Sequence, residues 1–162
     1  MLDIKTVVTP VDFSDNAKMI AESAAYIAGK FGAELHLIFV VQNFEDYSGF
    51  FVPPMNLPSL EQELHESAEQ KMEEFVASFG TTATAAGVST LRSKVLVGDV
   101  AEEILQYAED SKCSMIIMGT HGYKGLERIM FGSVADKVVK SSCCPVLTIN
   151  PYRQECLEKK EN

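Results

Sequence analysis

Short apolar runs alternate along the chain with longer stretches in which apolar residues recur at helical spacing. Ile4–Thr9 is rich in β-branched residues and is ended by Pro10, so it reads as a strand. Leu35–Val41 is nearly all apolar, as suits a strand covered on both faces. Thr90–Val97, Ser114–Met118 and Pro145–Ile149 read as further strands. Between the first two, Ala17, Ile20, Ala21, Ala24, Ala25, Ala28 and Phe31 stripe a helix that Ser14 or Asp15 can cap and Gly32 ends. Ser59-Leu60-Glu61-Gln62 fits a capping-box start for a second helix to about Phe79, with its glutamates as a solvated face. Thr81–Ser89 is small and polar and reads as a loop. Asp99 can cap a third helix bearing Val100, Ile104, Leu105 and Ala108. Gly132-Ser133 opens a fourth, striped by Val134, Ala135, Val138 and Val139.

The order βαβαβαβαβ implies an α/β three-layer sandwich: a five-stranded parallel sheet with helices on both faces and right-handed crossovers. Residues 1–150 make one domain, and 151–162 a polar tail. In such sheets ligands sit beyond the C-terminal strand ends, where the strand order reverses. If that order is 3-2-1-4-5, strands one and four meet there.

Composition narrows the function. A net charge of −9 argues against nucleic acid or an anionic membrane as the main partner. No apolar run approaches membrane-spanning length, and the N-terminus does not read as a signal peptide, so a cytoplasmic location is expected. Cys113, Cys143, Cys144 and Cys156 show no C-x-x-C spacing; neither disulfides nor zinc are expected, and Cys113 with one of Cys143 and Cys144 reads as small buried apolar residues. His36 reads as structural. The segment 42–58, with several aromatics and prolines, is either a lid or partner contact or a plain loop.

The chemistry concentrates after the fourth strand. Met118-Gly119-Thr120-His121-Gly122 makes a glycine turn, and nine residues beyond it Gly132-Ser133 starts a helix. Glycine lets a ligand approach the backbone, and a helix start offers unpaired N–H donors to an anion. Ser133 with Asp136 also fits a capping pattern that needs no ligand. Neither a P-loop nor a G-x-G-x-x-G fingerprint is present.

Val8-Thr9-Pro10-Val11-Asp12-Phe13-Ser14, taken with Gly119-x-x-Gly122, nine residues and Gly132-Ser133, resembles the universal stress protein family from Val7 to Ile149. The pattern G-x2-G-x9-G-[ST] matches the family's ATP-binding branch. The resemblance implies an adenine nucleotide alpha hydrolase-like, Rossmann-like fold and a pocket built from Pro10, Val11, Asp12, Val40, Met118, Gly119, Gly122, Gly132, Ser133 and Val134. In it Val11 and Val40 flank adenine, Asp12 lies near ribose or adenine, and the glycines with Ser133 hold phosphates of ATP, ADP or AMP. A Mg or Mn ion would be held mainly by those phosphates, with no metal site of the protein's own. His121, Lys124 and Arg128 are further candidates to offset phosphate charge. The resemblance also implies a homodimer through the last strand, Val146 to Ile149. The expected role is a regulatory, stress-response nucleotide-binding module without a catalytic residue. The alternatives are a slow ATPase or a phosphoryl or nucleotidyl transferase, with His121 as the candidate acid or base, and a nucleotide-free structural protein.

Overall fold

The computed structural model describes residues 3–42, 57–120 and 132–152. Its elements follow the order β1 (Thr6–Pro10), α1 (Asp15–Lys30), β2 (Glu34–Gln42), α2 (Leu57–Ala86), β3 (Thr90–Gly98), α3 (Val100–Asp110), β4 (Met115–Gly119), α4 (Ser133–Ser141) and β5 (Val146–Ile149). All strand pairs are parallel and the order across the sheet is β3-β2-β1-β4-β5.

Each face of the sheet carries its own core. Val7, Leu35, Leu37 and Ile117 pack with α1 alanines and with Met72, Phe79 and Ala83 of α2. Val8, Ile38, Val40, Ile116 and Met118 pack with Ala101, Ile104 and Ala108 of α3 and Ala135 and Val138 of α4. Alternate strand residues point to opposite layers, which is why a nearly continuous apolar run such as Leu35–Val41 supplies both cores.

The second helix corrects the sequence reading at both ends. It begins at Leu57, so Ser59 lies within it rather than capping it, and it runs through Thr81–Ala86, the first part of the predicted Thr81–Ser89 loop. Propensity is weak there, but tertiary packing overrides it. Ala83 is fully buried, and Thr84 Oγ1 turns back to donate to the Gly80 carbonyl at 3.0 Å. The end of α2 lies against α1 so closely that a Cβ at Gly29 would stand 1.8 Å from the Ala86 carbonyl oxygen. Gly87 then turns the chain at φ +93°.

Close to that seam, at the N-terminal end of the strands, polar side chains are mutually paired. Arg92 Nε donates to Glu34 Oε2 at 2.9 Å. Nε2 of the buried His36 lies 3.1 Å from the same oxygen, and its Nδ1 lies 3.1 Å from the Tyr107 hydroxyl. An Nε2–H donated to the carboxylate leaves Nδ1 to accept from Tyr107. The Arg92 guanidinium first, and His36 second, hold the Glu34 carboxyl down at about 2. Here His36 is a structural residue, as its sequence context predicts.

Cys113, Cys143 and Cys144 are free thiols. Cys113 and Cys144 are partly buried, while Cys143 is exposed. Burial, with Cys144 beside it, pushes the Cys113 thiol up to about 12, so that it behaves as a small apolar residue.

Candidate functional site

The strand ladders identify where the sheet opens. The β1–β2 ladder continues to Pro10↔Ile38, and Val11 N–H extends it by donating to the Ile38 carbonyl at 2.9 Å. The β4–β5 ladder continues to Gly119↔Ile149, and Thr120 N–H donates to the Ile149 carbonyl at 2.9 Å. Between these two pairs, the β1–β4 ladder stops at Val8↔Ile116. β1 therefore stays with β2, and β4 with β5, while the central pair parts toward its C-terminal end. This is the reversal point of the strand order, where an open α/β sheet forms its crevice.

Eight of the predicted site residues lie on three segments that border that opening. Pro10, Val11 and Asp12 leave β1. Met118 and Gly119 end β4, and Gly132, Ser133 and Val134 begin α4. The last two segments are tied directly, because Gly132 N–H donates to the Thr120 carbonyl at 2.9 Å. That bond commits the Gly132 amide to the protein itself. The helix-start donors left over are those of Ser133, Val134 and Ala135, since the first i−4 bond is Asp136 N–H to the Gly132 carbonyl at 2.9 Å.

Gly132 is the N-cap residue, and among the described residues no side chain caps the helix. Ser133 is consequently the first helical residue and is exposed, and Asp136 pairs instead with Lys140 at 2.8 Å. This corrects the capping pattern read from Ser133 and Asp136. A Cβ on Gly132 would come within 3.2 Å of the Thr120 carbonyl oxygen, so the turn and the helix start are in close contact.

Two predicted wall residues face different layers. Val11 belongs to the core beneath α1 and α2, Val40 to that beneath α3 and α4, and they are only 6% and 8% exposed. The structure does not bring both to one face of the sheet. Met118 lies with Val40, and the partly buried Val134 packs against the same cluster.

Asp12 is held by its neighbour. Its Oδ1 accepts from the Ser14 amide at 3.0 Å and from the Ser14 hydroxyl at 2.6 Å. Among the described residues, no donor reaches Oδ2. Three residues before Asp12, the Thr9 hydroxyl is fully buried and, among the described residues, has no partner.

One cation near this end is already engaged by carboxylates. Lys137, one turn into α4, contacts Asp99 at 3.3 Å and Glu102 at 3.0 Å, and its amine pKa is raised by Glu102 first and then by Asp99. Asp99 caps α3 by accepting from Glu102 N–H at 3.0 Å, as the sequence predicts; that bond, with Lys137, lowers its carboxyl pKa. Gly122, His121, Lys124 and Arg128, the segment from 43 to 56, Cys156 and the tail from 153 lie outside the described residues.

Sequence reasoning missed Ser14 as the partner of Asp12, and Thr120 as the acceptor that fixes Gly132. The first was findable: Asp-x-Ser is the spacing of a side chain that bonds the backbone two residues on. The second depends on a loop closing in space and leaves no local signal. Among the described residues, no group of three or more His, Cys, Asp or Glu side chains is arranged to hold a metal. Nor is any helix among them long and apolar enough to cross a membrane.

A sequence model of the universal stress protein family matches residues 3–150. A universal stress protein of Methanocaldococcus jannaschii is 35% identical over 156 residues, covering 93% of this chain and 85% of its own. Among solved structures, a universal stress protein in complex with cAMP superimposes with a TM-score of 0.66 at 21% identity, covering 92% of this chain and 99% of the other. One from Archaeoglobus fulgidus in complex with dAMP does so with a TM-score of 0.60 at 20% identity, covering 93% and 100%. At those identities the two structures share the fold.

Proposed function

The chain belongs to the universal stress protein family, and from that premise we propose that it binds an adenine nucleotide, ATP in the first instance, in the crevice between β1 and β4. The observation that carries this reading is the parting of those strands beside an uncapped helix start. Amide donors at such a start suit phosphate oxygens, and the positive end of the helix dipole favours their charge. The half-free Asp12 carboxylate suits hydroxyl or amine donors and repels phosphate, so it serves the nucleoside end. Proteins of the same fold solved with cAMP and with dAMP supply the ligand class to try first.

The residues that would hold the nucleotide are Pro10, Val11, Asp12, Val40, Met118, Gly119, Gly122, Gly132, Ser133 and Val134. With Lys137 already paired, charge balance falls to backbone donors, to His121, Lys124 or Arg128, and to a Mg or Mn ion carried by the phosphates. The protein acts as a cytoplasmic regulatory module of the stress response, residues 1–150 forming its single domain. It pairs as a homodimer along β5, an edge strand whose Leu147 is exposed.

Isothermal titration with ATP, ADP and AMP tests the reading. Three or four charge-assisted bonds of about 1.5–3 kcal/mol each can support a dissociation constant near micromolar, about −8 kcal/mol. Absence of heat for all three at millimolar concentration would overturn it. Light scattering that gives a monomer mass at the same concentration would remove the dimer.

A further inference from the structure

We propose that Cys113 and Cys144 form a dithiol that a hydroperoxide oxidises to a disulfide, stapling the turn before β4 to the turn after α4. Cys113 precedes β4 and Cys144 precedes β5, so both stand at the N-terminal end of the sheet, away from the crevice. Those strands are neighbours, and Ile116 N–H donates to the Pro145 carbonyl at 2.9 Å close to both thiols. Both side chains are partly buried and pack against the core beneath α3 and α4. A cavity of about 240 Å³ is lined by both, with Leu105 and Ala108 of α3 and Ser142 and Cys143 among its other walls. Cys143 is exposed, so the cavity gives a small oxidant a way in from solvent.

The two thiols are not equivalent. Cys113 Sγ donates to the Met115 carbonyl at 3.0 Å, and burial first, with Cys144 beside it, pushes it up to about 12. It stays protonated and is a poor first target for an oxidant. Cys144 Sγ lies 3.4 Å from the Ser142 hydroxyl, whose oxygen also accepts from the Cys144 amide at 3.2 Å. That hydroxyl can donate to the sulfur as it ionises. Cys144 therefore reacts first. Its sulfur attacks one oxygen of hydrogen peroxide; the O–O bond breaks, an S–O bond forms, and the other oxygen leaves as water with the thiol proton. The Cys113 sulfur then attacks the sulfenic sulfur. An S–S bond forms, the S–O bond breaks, and the hydroxide leaves as water with the Cys113 proton. The two sulfurs are oxidised, and one peroxide is reduced to two waters. The stretch between them holds β4 and α4, so the new bond closes a loop around both and restricts the unfolded chain.

The test treats the reduced full chain with excess hydrogen peroxide and locates the product by peptide mapping with mass spectrometry. Wild type should yield an intrachain Cys113–Cys144 link, and its thermal midpoint should rise by about 4 °C or more. Dithiothreitol should reverse both changes. Cys144→Ala should form no intrachain link and show no rise. In Cys113→Ala the sulfenic acid should persist at Cys144 and be captured by dimedone. Mapping of wild type is decisive even where a variant fails to fold. A link between any other cysteines, within or between chains, overturns the proposal. So do sulfinic acid at Cys144 beside a free Cys113 thiol, thiols that stay unreacted, and a linked protein whose midpoint does not rise. Nucleotide takes no part in the step, so a failure of ATP binding leaves it standing.

Discussion

The two ends of the sheet treat polar groups in opposite ways. At the N-terminal end, Glu34, Arg92, His36 and Tyr107 satisfy one another, and Gly29 lets two helices close without a gap. At the C-terminal end, among the described residues, Asp12 keeps an open oxygen, the Thr9 hydroxyl is buried without a partner and α4 starts uncapped. Unmade hydrogen bonds at buried groups cost about 1–3 kcal/mol each, so a fold tolerates them where something else gains from them. The closed end is built for stability, and the open end is where the proposed nucleotide would gain from them. Substitutions should sort accordingly.

The largest effect is expected at the closed end. Gly29→Val would drive its Cβ into the Ala86 backbone, which cannot swing away as a side chain can. Urea denaturation should show a loss of about 3 kcal/mol or failure to fold. A variant as stable as wild type would mean that the helix seam is looser than described. Next comes Gly132→Val at the open end. Its Cβ meets the Thr120 carbonyl at 3.2 Å, a contact that a few tenths of an ångström relieve, while the branched side chain obstructs the helix start. ATP binding by calorimetry should be abolished, with a stability loss of about 1 kcal/mol. Normal binding would put the phosphates elsewhere, and global unfolding would erase the distinction between the ends.

The smallest effect concerns pH. Glu34, ordinarily near 4.5, is held at about 2 in the folded protein. A depressed carboxyl adds stability that is complete above the unfolded value and is lost as pH falls from about 4.5 toward 2. Arg92→Ala removes the largest cause, so its melting temperature should vary less with pH across that window than wild type's. Both partners are solvent-facing, Arg92 at 57% exposure, so the difference should be a few degrees at most. Parallel curves for the two proteins would show that the pair adds nothing at this end.

Much of this was legible beforehand because period and punctuation are local. The β-branched run before Pro10, the alanine stripe of α1 ending at Gly32 and the Asp99 cap each announce themselves within a few residues. The candidate glycines were legible for the same reason, since a turn and a helix start fall within one short segment. What misled was also local: Thr81–Ala86 has loop-like composition, yet is helical because α1 packs on it.

Sequence alone determined the alternation of strands and helices, and with it a parallel sheet, because side-chain periodicity is a property of adjacent residues. Only the tertiary structure decided that β1 and β4 part after Val8, that Gly132's amide closes onto Thr120 and that Ser14 turns from capping to gripping Asp12. Those outcomes depend on which donor meets which acceptor across the fold, and a hydrogen bond's partner is fixed by proximity in space.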